Sequence, residues 1–389
     1  MSSDLIIVAI SLFTWGVGEG MFIFLQPLYL EELGADPFKI GAIMGGFFLA
    51  MALAHIPAGY IADHIGRRPV MWASWLLGII ATWSMALAPS LSWFIVGLLI
   101  YGLTFFVMSP LNSYVTAARG HWPVSRAIML ISTSFNLGIV IGANLGGRIA
   151  DLYSLKRVFF VAGVIFIFST IIILFIRPQP IEHHPSGEKR LGFLADSRLK
   201  FYLVAVFLAV FATALPQPLS QNYLHNYWHL DMSTIGTLTS LVGLGVAGIN
   251  LVLGRLDARL AFLLAQATVA GFAFLLWQGN GLIWFALGYF LLGGTKTTRS
   301  LATAQTRSLV AGSSMGIAYG VTETVGSIAA ILAPILAGFI YGFNPSWVYP
   351  ASLVAIFVSI LVGAVFSPRP TEKETNLSAM PVVSTSEDP

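Results

Sequence analysis

"GYIADHIGRRPV", residues 59–70, sets five titratable side chains (Tyr60, Asp63, His64, Arg67 and Arg68) into twelve positions of a 389-residue chain that is only 10% charged. The stretch lies between two long apolar runs, and the solvent of those runs decides the fold. Hydrophobic residues make up 57% of the chain and aromatic residues 13%; the mean hydropathy is +0.82. That leaves too little polar surface to cover a water-soluble globule of this size. Runs of roughly 20 apolar residues recur from residue 5 to residue 366, each long enough to cross a hydrocarbon core of about 30 Å as a helix. The chain reads as an all-α, polytopic integral membrane protein with the lipid bilayer as its main partner.

Twelve spans are predicted, at 5–30, 38–62, 69–88, 91–117, 124–150, 157–176, 200–225, 233–254, 258–277, 281–307, 314–341 and 346–366. The first lacks a basic n-region and runs on to Leu30, so it is expected to stay as a span and not to be cleaved as a signal. Residues 177–199 are the longest polar interruption and divide the spans six and six. Prolines 178, 180 and 185 suit a solvated linker, with a short surface helix near Phe193 as an option. The expected organisation is a six-helix bundle over 1–176, a cytoplasmic linker over 177–199, a second bundle over 200–366 and a disordered cytoplasmic tail over 367–389. His183 and His184 have no further ligand at helical spacing, so no metal is expected there. The absence of cysteine excludes disulfides and thiolate metal sites.

Lysine and arginine placement orients the chain, because positive loops stay cytoplasmic. One set of alternate loops holds Arg67, Arg68, Arg119, Arg126, Arg177, Lys189, Arg190, Arg198, Lys200, Arg255 and Arg259; the other holds only Lys39, Lys156 and Arg157. Both termini are therefore predicted on the cytoplasmic side of a cell membrane, plasma or inner. No basic tail points to nucleic acid. The halves also repeat: "LQPL" at 25–28 returns as "PQPL" at 216–219, and "FKIG" at 38–41 as "STIG" at 233–236. Repeated halves place a transport site at their interface.

A polar loop at the membrane surface would account for the charges of residues 59–70 alone. The spacing says more: Gly59, Asp63, Gly66, Arg67 and Arg68 resemble the loop motif between spans two and three of the major facilitator superfamily, with His64 where that family usually has Arg or Lys. The twelve spans, the central linker and the repeated halves extend the resemblance over nearly the whole chain. It implies two pseudo-symmetric six-helix bundles, transport by alternating access, and a gate role for the cluster, with Asp63 accepting bonds from Arg67 or Arg68 and facing the amino end of another helix. Gly59 and Gly66 would permit close approach and a tight turn. In span five, Gly138, Gly142, Gly146 and Gly147 suit close helix packing. They also resemble the family's antiporter motif, with Ala143 in place of its proline, while "LAPILAG" at 332–338 supplies one in Pro334. Span four lacks the embedded arginine of many drug antiporters, and no sugar-porter signature flanks the linker.

Ionisable groups within spans are costly and each needs a reading. Glu19, in "WGVGEGM" with glycines at 16, 18 and 20 to leave room for a neighbouring helix or a water-filled cavity, is the leading candidate to carry a coupling proton. Glu323 is the second. Lys296 reaches comparable depth and either pairs with Glu323 or snorkels beside Arg299, which is expected at the interface. Arg148 and Asp151, three apart, suit a helical surface pair, and His55 a packing histidine. Asn112, Gln217, Gln221 and Asn222 fall in spans that line the central cavity in this family, and are substrate-contact candidates together with Lys296. Gln26 and Gln217 precede the repeated prolines and alternatively satisfy backbone groups freed by them. Trp15, one turn before Glu19, suits a hydrophobic substrate wall.

The combined expectation is a small-molecule transporter, first as a proton-coupled efflux antiporter, with proton symport or uniport as the alternative. No Walker-type phosphate loop occurs, so a gradient must drive it and no cofactor is expected. Neither a His-Glu-x-x-His motif nor a nucleophile with its base at helical spacing occurs, which disfavours a membrane enzyme; a receptor would need a sensory domain for which the linker and tail leave no room. One chain can complete the pathway, so a monomer is expected.

Overall fold

The computed structural model describes residues 2–179, 196–310 and 315–368, without the side chains of 55–60, 62, 63, 125 and 315–317. The first half contains α1 (Ser3–Phe22), α2 (Gln26–Glu32), α3 (Pro37–Ile65), α4 (Arg67–Ala86), α5 (Leu91–Leu103), α6 (Met108–Ala118), α7 (Val124–Leu152) and α8 (Leu155–Ile173). The second contains α9 (Ser197–Ala214), α10 (Ser220–Asn226), α11 (Met232–Leu253), α12 (Ala258–Gln278), α13 (Leu282–Leu292), α14 (Gly294–Thr306), α15 (Met315–Phe343) and α16 (Val348–Phe366). No strand occurs among the described residues. The linker from 180 to 195, including His183, His184 and Phe193, and the tail from 369 lie outside the described residues.

Local chemistry explains the ends. Ser2, Ser90, Ser154, Asp196, Asp231 and Asp257 each accept a bond from a backbone N–H in the first turn of the helix they precede, satisfying donors that have no partner inside the helix. Bonds from the Lys39 backbone and ammonium hold the carboxyl of Asp36, just before α3, below the usual range. Gly66 joins α3 to α4 at φ +89, a left-handed conformation that side chains resist, so the tight turn expected there is present.

The repeat read in "LQPL" and "PQPL" marks matched interruptions. Span one breaks between α1 and α2, ahead of Pro27; span seven breaks between α9 and α10, at Pro216 and Pro218. Proline lacks the N–H that would continue the ladder. Span four is likewise interrupted by a 3-10 turn at Thr104–Val107 and span ten at Gly293. Packing repeats at the same offset. In the first half α1 packs on α7 and α8, α4 on α8 and α5, and α3 on α5; in the second α9 packs on α15 and α16, α12 on α16 and α13, and α11 on α13. The halves meet through α3 against α15 and α7 against α11. The result is two six-helix bundles related by the sequence repeat.

Among the described residues, eleven helices or helix pairs are long and apolar enough to cross a bilayer. The twelfth expected span, ten, falls short because Gly293 divides it and α14, GTKTTRSLATAQT, is polar.

Glycines set the closest crossings. A Cβ on Gly138, Gly142 or Gly146 of α7 would stand 2.3, 2.1 or 2.1 Å from the carbonyl oxygen of Phe13, Val17 or Met21 of α1, and Gly16 and Gly20 reciprocate. Gly147 instead faces Met232 of α11, at 2.3 Å. The packing reading of this motif is therefore what the fold uses. Of the two uses expected of the glycines around Glu19, the structure shows the neighbouring helix: Gly16 and Gly20 admit α7, and Gly18 admits the ring of Phe166.

Candidate substrate and proton site

The end of the bundle bearing Ser3 and Phe366 is termed proximal and the other distal. Among the described residues every hydrogen bond between the halves lies toward the distal end: Ser240 with Val140 and Asn144, Thr237 with Asn144, Asp151 with Met232 and Ser233, Pro27 and Glu31 with Asn222, and Glu31 with Asn226. Two cavities lie beside these contacts, the first on their proximal side and the second reaching Pro27. One, about 240 Å³, is bounded by α1, α4, the 3-10 turn at Thr104–Val107, α6 and α7, with Trp15, Trp75, Phe105, Asn112 and Phe135 in its wall. The other, about 320 Å³, lies between the halves against Phe24, Met51, Gln217, Gln221 and Pro334. Glu19 and Phe105 line both.

Glu19 is thus at the junction. Its side chain is 7% exposed and accepts a bond from Trp15 Nε1 at 3.1 Å, one turn away on α1. Trp15 is fixed by an aromatic box: Phe166 edge-on at 4.2 Å, Trp75 at 5.0 Å and Tyr101 at 6.4 Å between centroids. Trp75 Nε1 in turn donates to Ser11 and Ser169. Tyr101 is fully buried beside the carboxylate, its hydroxyl without a hydrogen bond of good geometry. The box holds Glu19 in one orientation and covers it with rings, each pair adding about 0.5–1.5 kcal/mol. Sequence reasoning selected Trp15 and missed Trp75 and Tyr101, whose span positions look like ordinary core.

The second half supplies charge across the gap. Lys296, on the exposed polar face of α14 with Ser300 one turn on, acts electrostatically on Glu19. A polar exposed face at this depth fits a water-filled cavity and not lipid. Among the described residues Lys296 makes no ion pair; the pairing with Glu323 is replaced by another. Arg299 Nε and Nη2 donate to Glu323 Oε2 at 3.1 and 2.9 Å, Thr303 donates to Oε1 at 2.7 Å, and Arg299 Nη2 reaches Ser327 at 3.3 Å. Arg299 is three residues beyond Lys296 and is turned toward α15, so it is a structural partner and not an interfacial group. Both members are partly exposed, at 36% and 46%, so Arg299→Gln is expected to cost about 1–2 kcal/mol. Adding Glu323→Gln should recover most of it, because no charge is then left unpaired. Melting of the single and double variants in detergent checks this.

Asn112, Gln217 and Gln221 line the cavities. Asn222 does not: it is 1% exposed and donates to Pro27 and Glu31 at the distal closure. Gln26 is fully buried with neither amide atom bonded, so it does not satisfy backbone freed by Pro27. Asp151 pairs with α11 and not with Arg148. In the loop of residues 59–70, Arg67 donates to Gln179 at 3.1 Å, the Arg68 guanidinium lies 4.0 Å over the Trp72 ring, and His64 is exposed. The side chains of Asp63 and His55 lie outside the described residues.

Comparison with known proteins agrees with this architecture. The sequence matches the Major Facilitator Superfamily over residues 8–214 and 202–386. An uncharacterized MFS-type transporter of Methanocaldococcus jannaschii is 26% identical over 190 residues, about half (49%) of each chain. The quinolone resistance protein NorA of Staphylococcus aureus is 21% identical over 395 residues, covering 97% of this chain and 100% of NorA. Among solved structures, the nucleoside transporter NupG superposes with a TM-score of 0.80 at 14% identity, covering 94% of this chain and 98% of that one.

Proposed function

The chain belongs to the major facilitator superfamily, a family of membrane transporters and not of enzymes, and we propose that it exports a small molecule across the cell membrane in exchange for protons. Glu19 is the proton carrier in this reading, and its position at the junction of both cavities is the observation that supports it. A carboxylate at this depth is stable charged only beside a cation and neutral otherwise. Lys296 of the other half supplies the cation, so changing its distance or occupancy changes proton binding at Glu19. Trp15, Asn112, Gln217 and Gln221 are the proposed substrate contacts, with the aromatic box as an apolar wall. Glu323, held by Arg299 and Thr303, is the weaker candidate for proton coupling.

The assignment of the proximal end as cytoplasmic rests on the lysine and arginine bias. With that orientation the distal contacts correspond to an inward-open state, and residues 59–68 form the gate on the cytoplasmic side. The bundles over 1–176 and 200–366 then rock as units about the midplane, within one chain. The efflux direction draws on the likeness to NorA, whose name describes quinolone resistance.

A second reading is favoured by Lys296 itself. An anionic substrate on Lys296 would take the cation away from Glu19, which would then gain a proton with the substrate; that is symport. A cationic substrate would compete with the proton for Glu19; that is antiport. Purified protein in liposomes with an internal pH dye separates them when a panel of cationic and anionic compounds is added outside. Proton movement opposite to the substrate supports antiport, movement in the same direction supports symport, and substrate movement without protons removes Glu19 from the role proposed.

A further inference from the structure

We propose that Asp151 and Glu31 form a two-part latch of the distal gate: two carboxylates of the first half that hold the second half closed there and must release for the cavity to open on that side. The inference rests on transport by alternating access, but on neither proton coupling nor direction.

Asp151 is near the end of α7, one turn after Gly147. Without a side chain, Gly147 lets α7 approach the Met232 carbonyl, and this approach brings the carboxylate of Asp151 over the start of α11. Its Oδ1 accepts from Met232 N at 2.9 Å and its Oδ2 from Ser233 N at 2.8 Å. These are first-turn N–H groups with no acceptor inside their helix, at its positive end. Asp231, the local cap, takes the next donor, Thr234 N, at 2.9 Å. The amino end of α11 is therefore capped jointly, one carboxylate from its own half and one from the other.

Glu31, at the end of α2, makes a second carboxylate contact between the halves, against α10. Its Oε1 accepts from Asn226 Nδ2 at 2.8 Å and its Oε2 from Asn222 Nδ2, both on α10. Asn222 Nδ2 also donates to Pro27 O at 3.2 Å. Both carboxylates bond neutral donors; among the described residues neither is in an ion pair. Breaking such bonds exposes carboxylates and amides to water and leaves no opposite charge stranded. A salt bridge would bind the halves by a charge on each side and would have to hydrate both on release.

The closure also carries a counterweight. Gln26, fully buried next to Pro27, has neither amide atom bonded, and Asn222 Oδ1 is likewise buried without a partner. Asn222 lies between the halves, so in the closed state its buried Oδ1 is desolvated without compensation, which favours opening. The latch bonds oppose that tendency, beside the bonds of Asn144, Thr237 and Ser240 between α7 and α11.

The test is a distance measurement that needs no substrate. The natural chain contains no cysteine, so spin labels on introduced cysteine pairs report without background. Leu87→Cys with Ile283→Cys places labels on exposed distal positions of the two halves, and Phe175→Cys with Leu256→Cys does so proximally. Asp151→Ala with Glu31→Gln is expected to raise the population with distal labels apart by about ten-fold or more and to shorten the proximal distances in parallel. Asn222→Ala, which leaves both carboxylates intact, should move both distances in the same directions by a smaller amount. Unchanged distances in folded protein, or broadening at both ends without the reciprocal shift, would overturn the latch. The asparagine variant decides the matter if the double variant does not fold. Failure of proton coupling at Glu19 would leave these distances unaffected.

Discussion

Glu19→Gln is expected to reduce substrate-evoked proton movement in liposomes to the level of protein-free vesicles, while the protein remains folded and inserted. Glutamine has nearly the volume of glutamate, and its amide oxygen can accept the bond from Trp15 Nε1 that the carboxylate accepts at 3.1 Å. The aromatic box around Trp15 therefore keeps its geometry. What disappears is the ability to exchange a proton and the charge that Lys296 feels from across the gap. Substrate binding without coupled flux is the expected phenotype, and melting in detergent should match the wild type. Equal proton flux in the variant and the wild type would remove Glu19 from the mechanism and direct attention to Glu323.

The second large effect is structural. Gly142→Ala puts a methyl 2.1 Å from Val17 O and 2.9 Å from Met21 N, both backbone atoms of α1. No side chain can swing aside, so α1 and α7 must separate, at a cost of about 1–3 kcal/mol or more. Val17 lies between Trp15 and Glu19, so the displacement also moves the site. Apparent melting temperature and transport should fall together. Gly320→Ala is the control: nothing stands within 4 Å of its added Cβ, and a small gain from helix propensity, up to about 1 kcal/mol, is expected. If the two alanines behave alike, close approach at residue 142 is not what the fold depends on.

Much of the architecture is legible because membrane helices announce themselves by length and apolarity. The prolines of "LQPL" and "PQPL" go further and locate the matched breaks of spans one and seven. Periodicity along one helix is silent about which neighbour its polar groups meet. Asp151 is at helical spacing from Arg148, yet the backbone of α11 takes both its oxygens. Lys296 and Arg299 are one turn apart at similar depth, and only the rotation of α14 against α15 decides that Glu323 bonds Arg299. Asn222 shares a seven-residue helix with Gln221, but one lines the cavity while the other seals the distal end. Trp75 and Tyr101 escaped notice for a related reason: a buried ring beside a carboxylate has the same sequence signature as a buried ring beside a leucine.

The break at Gly293 has a consequence for how the chain enters the membrane during synthesis. α13, LIWFALGYFLL, is apolar, whereas α14 brings Lys296 and Arg299 to membrane depth. At roughly 2.5–3.5 kcal/mol per basic residue near a helix centre, the two cations outweigh what the leucines, isoleucine and phenylalanines of α13 return at about 0.3–0.6 kcal/mol each. Span ten emerging alone from the ribosome would be rejected by the bilayer. Its natural rescuer is the following span: α15 delivers Glu323, which neutralises Arg299. Spans ten and eleven are therefore expected to partition as one hairpin, with insertion of the second half completed only after the chain is made past Glu323.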